Sequence, residues 1–183
     1  MKEPIAGSDK AVTLVIINQK QLKEALSFTL NTYLAQQKTV VAVALSTGPK
    51  EILKMVPEPL KKKIFIIDCF SQQAAEEKNI IFAGSPADLT NIQVALDSIE
   101  KEIVSEKVII FDSVNVLSVY SSKEVFGKFM HLFSNKMLLK GNTTMLFTSK
   151  DATDEEILSM VKEFADKTYD FSDMLLTSMT QMQ

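Results

Sequence analysis

Short runs of β-branched and apolar residues alternate along this chain with longer segments of helical period, and that alternation limits the folds open to it. Val12–Ile17, Val40–Leu45, Ile64–Ile67, Ile80–Ala83, Val108–Phe111, Thr143–Phe147 and Thr168–Phe171 read as strands. Between them, Gln19–Gln37 repeats Leu22, Leu26, Leu30, Tyr33 and Leu34 on one helical face, and Pro86–Val104 does the same with Leu89, Ile92, Leu96, Ile99 and Ile103. Lys50–Val56 is a shorter helix that ends before Pro57 and Pro59. Lys123–Leu139 closes on Gly141 as its C-cap, and Asp154–Ala165 completes the set. Strands that are nearly continuous in apolar residues are buried on both faces. The pattern therefore predicts a three-layer α/β/α sandwich with a mainly parallel sheet and right-handed crossovers. Residues 1–171 form one domain on this reading, and 172–183 a methionine-rich tail.

The 183 residues are 46% apolar and 23% charged, as in an ordinary soluble domain, and the net charge of −3 gives no general attraction to nucleic acid or to an anionic membrane. All 20 basic residues are lysine. A lysine-favouring codon usage accounts for such a bias, but the chemical consequence stands: the side chain best shaped to grip phosphate or guanine with two bonds is missing, and no arginine finger can come from this chain. Cys69 is the single cysteine, so no internal disulfide forms, which fits a reducing, cytoplasmic setting. The first residues lack a signal pattern, and no apolar run approaches the ~20 residues of a membrane helix.

In open α/β sheets ligands bind at the carboxyl ends of the strands, and the first strand–helix junction is where a nucleotide's phosphates would sit. Here it reads Ile16-Ile17-Asn18-Gln19-Lys20-Gln21-Leu22, with no glycine between Gly7 and Gly48. A phosphate loop needs glycines to turn backbone N–H groups toward the anion, together with a lysine and a hydroxyl. Asn18 and Gln21 instead have the spacing of a capping box, by which the helix start satisfies itself. The expectation is loss of triphosphate binding, the alternative an unusual nucleotide mode through Lys20.

The second half of the chain resembles the RecA/KaiC class of ATPases. Val108-Ile109-Ile110-Phe111-Asp112-Ser113 is similar to that class's apolar strand ending in Asp-Ser, where the aspartate holds magnesium. Asp151 to Ile157 and then Thr168 to Phe171 resemble its loop, helix and closing strand. Gly48-Pro49-Lys50-Glu51-Ile52 and Ile66-Ile67-Asp68-Cys69-Phe70-Ser71 resemble segments of archaeal KaiC-like proteins. The likeness spans roughly residues 11–171 and implies RecA-like topology without the phosphate loop. Two departures bear on activity. The loop is missing, and the second strand ends Ala44-Leu45-Ser46-Thr47 where the class carries the acidic residues that activate water. A lone Asp112 cannot position a triphosphate, because phosphoryl transfer rests on positioning and charge neutralisation. It is expected to cap the next turn or to hydrogen-bond with a neighbour.

Other constellations fit less well. A response-regulator receiver would use Asp68, Ser113 and Lys150, but Asn18-Gln19 stands where its acidic pair belongs. A dinucleotide fold lacks G-x-G-x-x-G. Cys69 has no base beside it in sequence, and His131 reads as a half-buried helix residue. No His/Cys cluster has zinc spacing. Lys61-Lys62-Lys63 and Glu76-Glu77-Lys78 read as solvated charge, and Asp154-Glu155-Glu156 as a helix start. Met174, Leu175, Leu176 and Met179 in the tail form an adaptable apolar group suited to a partner.

These residues predict a non-catalytic RecA/KaiC-like domain that works as a regulatory or signalling protein-interaction module, with no cofactor, no metal and no ATP hydrolysis. A non-hydrolytic nucleotide or small-molecule sensor is the second expectation, with a cleft at Asn18, Lys20, Asp112, Ser113, Thr148 and Lys150. A degenerate receiver is the third. The partner is a protein of unknown identity, with neither nucleic acid nor membrane. Without nucleotide or finger arginine to hold a ring together, the expected assembly is a monomer or homodimer.

Overall fold

A computed structural model of the chain describes residues 10–73, 77–103 and 105–173. The strands are β1 (Val12–Ile17), β2 (Thr39–Ala44), β3 (Ile64–Asp68), β4 (Ile80–Phe82), β5 (Lys107–Phe111), β6 (Thr143–Ser149) and β7 (Lys167–Asp170). They form one sheet in the order β4-β3-β2-β5-β6-β1-β7, with every pair parallel. The helices are α1 (Leu22–Ala35), α2 (Pro49–Lys54), α3 (Leu89–Glu102), α4 (Asn115–Tyr120), α5 (Lys123–Lys140) and α6 (Glu155–Glu163).

Side chains alternate across each strand, so β1 to β6 feed two cores, while the edge strand β7 adds no side chain to either. Val15, Ile17, Val40, Ile66, Ile110 and Phe147 pack with α1 and α2 on one face. Leu14, Ile16, Val41, Ile67, Phe111 and Leu146 pack with α3, α4, α5 and α6 on the other. The three layers are those the alternation demands.

Helix boundaries follow their caps. Ser122 accepts the Val125 N–H at the start of α5, and Asp88 accepts the Asn91 N–H at the start of α3. Gly141 closes α5 at φ 65°, a left-handed conformation in which a Cβ is strained. Some expectations shift. α3 begins at Leu89 rather than Pro86, because Asp88 takes the cap. Gln19–Gln21 is a 3-10 turn leading into α1, and the lysine run Lys61 to Lys63 lies in a second such turn, Glu58–Lys63. α4 was not anticipated. His131 is exposed on α5, not half-buried, and shares a 3.1 Å hydrogen bond with Asn135.

The strand order differs from that of a receiver. There β1 lies between β2 and β3, whereas here β6 and β5 separate β1 from β2.

Candidate functional site at the carboxyl edge of the sheet

All seven strands run the same way, so their carboxyl ends share one edge, and the predicted site residues lie along it in three separate groups.

The first group is centred on Asp112, which follows β5 and is 1% exposed. β2 is the neighbouring strand, and the loop leaving it folds over the carboxylate. Oδ1 accepts the Leu45 N–H at 2.8 Å and the Ser46 N–H at 3.2 Å. Oδ2 accepts the Thr47 N–H at 2.6 Å and the Ser46 hydroxyl at 3.2 Å. Burial pushes the carboxyl above the ordinary value, opposed by these backbone donors. Asp112 thus caps the β2–α2 turn of the neighbouring strand rather than the next turn of its own segment. Asp68, at the end of β3, is also buried, and its Oδ1 takes the N–H groups of Phe70 and Ser71 at 3.0 and 2.9 Å. Cys69, next after Asp68, is buried, and burial first, then the charges of Asp68 and Asp112, push its thiol up to about 12.

The second group joins Ser113 and Thr148 through Asn115, which the sequence reading did not single out. The Ser113 hydroxyl donates to Asn115 Oδ1 at 3.0 Å and the Thr148 hydroxyl to the same atom at 3.4 Å. Thr148 also meets the Thr153 hydroxyl at 3.1 Å. All three of Ser113, Asn115 and Thr148 are buried. Their polar atoms are spent on one another and lash β5, α4 and the β6–α6 loop together.

The third group is the first junction. The capping box of Asn18 and Gln21 is present, with the Asn18 N–H donating to Gln21 Oε1 at 2.7 Å. The Asn18 amide group also donates to the Ser172 carbonyl at 2.5 Å, and Gln21 Nε2 reaches the Phe171 carbonyl at 3.4 Å. From the loop after β6, Asp151 Oδ1 accepts the Gln19 N–H at 2.9 Å and the Ser149 hydroxyl at 2.6 Å. Those two donors, the hydroxyl first, hold the Asp151 carboxyl below the usual range, with help from the charge of Lys20. A carboxylate of the chain itself therefore sits at the helix start, where an anion is favoured. Lys150 pairs with Asp170 at 3.6 Å and Asp173 at 3.7 Å and donates to the Ser172 hydroxyl at 3.1 Å. Ser172 itself, which the sequence reading put in the tail, is buried.

The six predicted residues fall into separate hydrogen-bonded groups. Asn18 and Lys150 converge on Ser172, Ser113 and Thr148 converge on Asn115, Asp112 serves the β2 loop, and Lys20 is exposed beside Asp151. Met174, Leu175, Leu176 and Met179 lie outside the described residues. Among the described residues no group of three His, Cys, Asp or Glu is placed to hold a metal ion, and no helix is long and apolar enough to cross a membrane.

The sequence profile of the KaiC ATPase family matches residues 24–168. The chain belongs to the KaiC family. The matched span starts beyond β1 and the first junction. Two solved structures carry the same fold. A KaiC-like protein of the hyperthermophilic archaeon Pyrococcus horikoshii OT3 superposes with a TM-score of 0.64 at 13% identity, over 96% of this chain and 83% of its own. An uncharacterized protein of Pyrococcus horikoshii, solved in complex with an unknown peptide, gives 0.65 at 13% identity, over 90% and 78%. No curated protein matches the sequence. The parallel sheet and its flanking helices are those of the RecA-like KaiC fold. Asp112 ends the strand that resembles the family's magnesium-holding one, and β2, whose end lacks a carboxylate, lies directly beside it.

Proposed function

We propose that this chain is a KaiC-family domain that no longer hydrolyses ATP and acts as a regulatory or signalling module through protein–protein contact. One observation carries the reading: both oxygens of the Asp112 carboxylate are committed to the backbone of residues 45–47. An aspartate that is to ligate magnesium must offer an oxygen to the ion. This one is buried and serves as a turn cap.

The first junction supports the same reading. It has no glycine, its amides are met by Gln21 and by Asp151, and the family match begins only after it. On this reading a magnesium-bound triphosphate does not fit the residues present. The Pyrococcus protein solved with a peptide is a precedent for this fold in contact with a polypeptide. The buried single cysteine suits a cytoplasmic protein.

Titration calorimetry with ATP and magnesium, combined with a phosphate-release assay, tests the proposal. The expected result is neither binding heat nor turnover. Micromolar binding with turnover abolished by Asp112→Ala overturns it.

A sensor that binds a nucleotide without hydrolysis is the second reading, favoured by the exposed Lys20 at the helix start. A thermal-shift screen separates the two, because a bound ligand raises the melting temperature by mass action. A shift that Lys20→Ala removes would favour the sensor.

A further inference from the structure

Asp68 ends β3 fully buried, and its two carboxylate oxygens are unequally served. Oδ1 accepts the Phe70 and Ser71 N–H groups at 3.0 and 2.9 Å. Oδ2 is buried and has no hydrogen-bond partner. A buried carboxylate oxygen without a donor is costly, so a donor is missing here. No lysine of the chain supplies it. Among the described residues Asp68 makes no ion pair, and neither do Asp88 and Asp112, the other carboxylates whose charges reach Cys69 beside it.

Two phenyl rings lie on the same face of the sheet as this carboxylate. Phe82 on β4 is the register partner of Asp68, as Ala44 is on β2, so the three side chains leave the sheet on one side. That side is the one α1 and α2 cover, since Ala44, Ile66 and Ile80 pack there with Ile52. Phe70 reaches the same side, because its ring lies 3.2 Å from where a Cβ on Gly48 would stand, at the start of α2. Both rings meet solvent, Phe70 at 54% and Phe82 at 39% exposure. Single exposed rings are ordinary. Here one belongs to a residue bonded to Asp68 and the other to a residue paired with it.

We infer that Asp68, Phe70 and Phe82 receive an arginine side chain of a protein partner. A guanidinium donates to Oδ2 while its flat faces lie on phenyl rings, and it sheds water more readily than an ammonium does. A metal ion fits worse, because among the described residues no three His, Cys, Asp or Glu side chains are placed to hold one. The arginine has to come from outside, since this chain has none. Oδ2 is covered in the free chain, so entry requires a side chain to swing. Phe70, half exposed and two residues on from Asp68, is placed to do so. The site stands whether or not the chain hydrolyses ATP.

Amide NMR of the full chain, titrated with N-acetyl-arginine amide at constant ionic strength, tests it, with the citrulline amide as the uncharged isostere. The arginine amide is expected to shift the Phe70 and Ser71 signals with a Kd of about 1 mM, and the citrulline amide to leave them in place. Asp68→Asn should weaken binding about tenfold. Phe70→Leu and Phe82→Leu should each weaken it about threefold with the melting temperature unchanged, since both rings are partly exposed. These two variants keep the test decisive if Asp68→Asn fails to fold. The inference is overturned by signals that stay fixed up to about 50 mM arginine amide, by equal shifts with citrulline amide, or by affinity that survives both leucine changes. A water molecule is then the partner of Oδ2.

Discussion

Oδ2 of Asp112 lies 2.6 Å from the amide nitrogen of Thr47, a bond between the end of one strand and the loop leaving its neighbour. Asp112→Ala removes the acceptor from three backbone amides, of which the Leu45 N–H is buried. The expected cost is about 3 kcal/mol, allowing water to replace part of the bonding at Ser46 and Thr47. Urea unfolding measures it. Asp112→Asn keeps an acceptor and should recover a portion. A loss below about 1 kcal/mol would mean that the loop does not depend on this residue.

Acid should weaken the fold partly through Asp151. Its carboxyl lies below the ordinary value because the Ser149 hydroxyl and the Gln19 N–H bond the ionised form. A depressed carboxylate contributes stability that is present above the unfolded value of ~3.9 and lost as pH falls through the lower folded value. Unfolding midpoints should therefore drop between about pH 5 and pH 3. Asp151→Asn should lower the midpoint at neutral pH and flatten that drop. A variant with the wild-type pH profile would refute the assignment.

Cys69 should be inert in the native protein. With its thiol pushed up to about 12 by burial and then by nearby carboxylates, almost no thiolate exists at pH 8. An aromatic disulfide reagent should label it only as fast as the chain unfolds, and urea should raise that rate steeply. Rapid labelling in buffer would show that the β3 end opens locally.

Gly141→Ala should cost about 1 kcal/mol through the left-handed φ of 65°. A new Cβ would also come within 3.1 Å of the Lys10 side chain, which must move aside. Thermal unfolding measures the sum. An equal or higher melting temperature would contradict the αL cap.

The local features of this fold were plain in the chain itself. β1 runs from Val12 to Ile17 as its apolar run predicts, and the Asn18–Gln21 pair and the Gly141 cap stand where their spacing puts them. What escaped depends on distance in sequence. Asp112 was legible as a strand-end carboxylate, but its donors lie 65 to 67 residues away in the β2 loop. Asp151 was legible only as part of a family-like loop, because its partner Gln19 is 132 residues distant. Ser149 two residues before it was the available hint of a carboxylate held in a turn. α4 hides in Asn115–Tyr120, where Val116, Val119 and two polar residues carry little helical signal. It forms because Asn115 is held by Ser113 and the Ala152 carbonyl.

The place of β1 in the sheet sets the order in which the chain can be completed. β1 is made first, yet its two neighbours are β6 and β7, the last strands to be synthesised. Until Thr143 and the residues after it emerge, Val12–Ile17 is an apolar strand with both edges open, the kind of segment that recruits wrong partners. A nascent chain of this design needs Thr143–Asp170 before Val12–Ile17 has its partners.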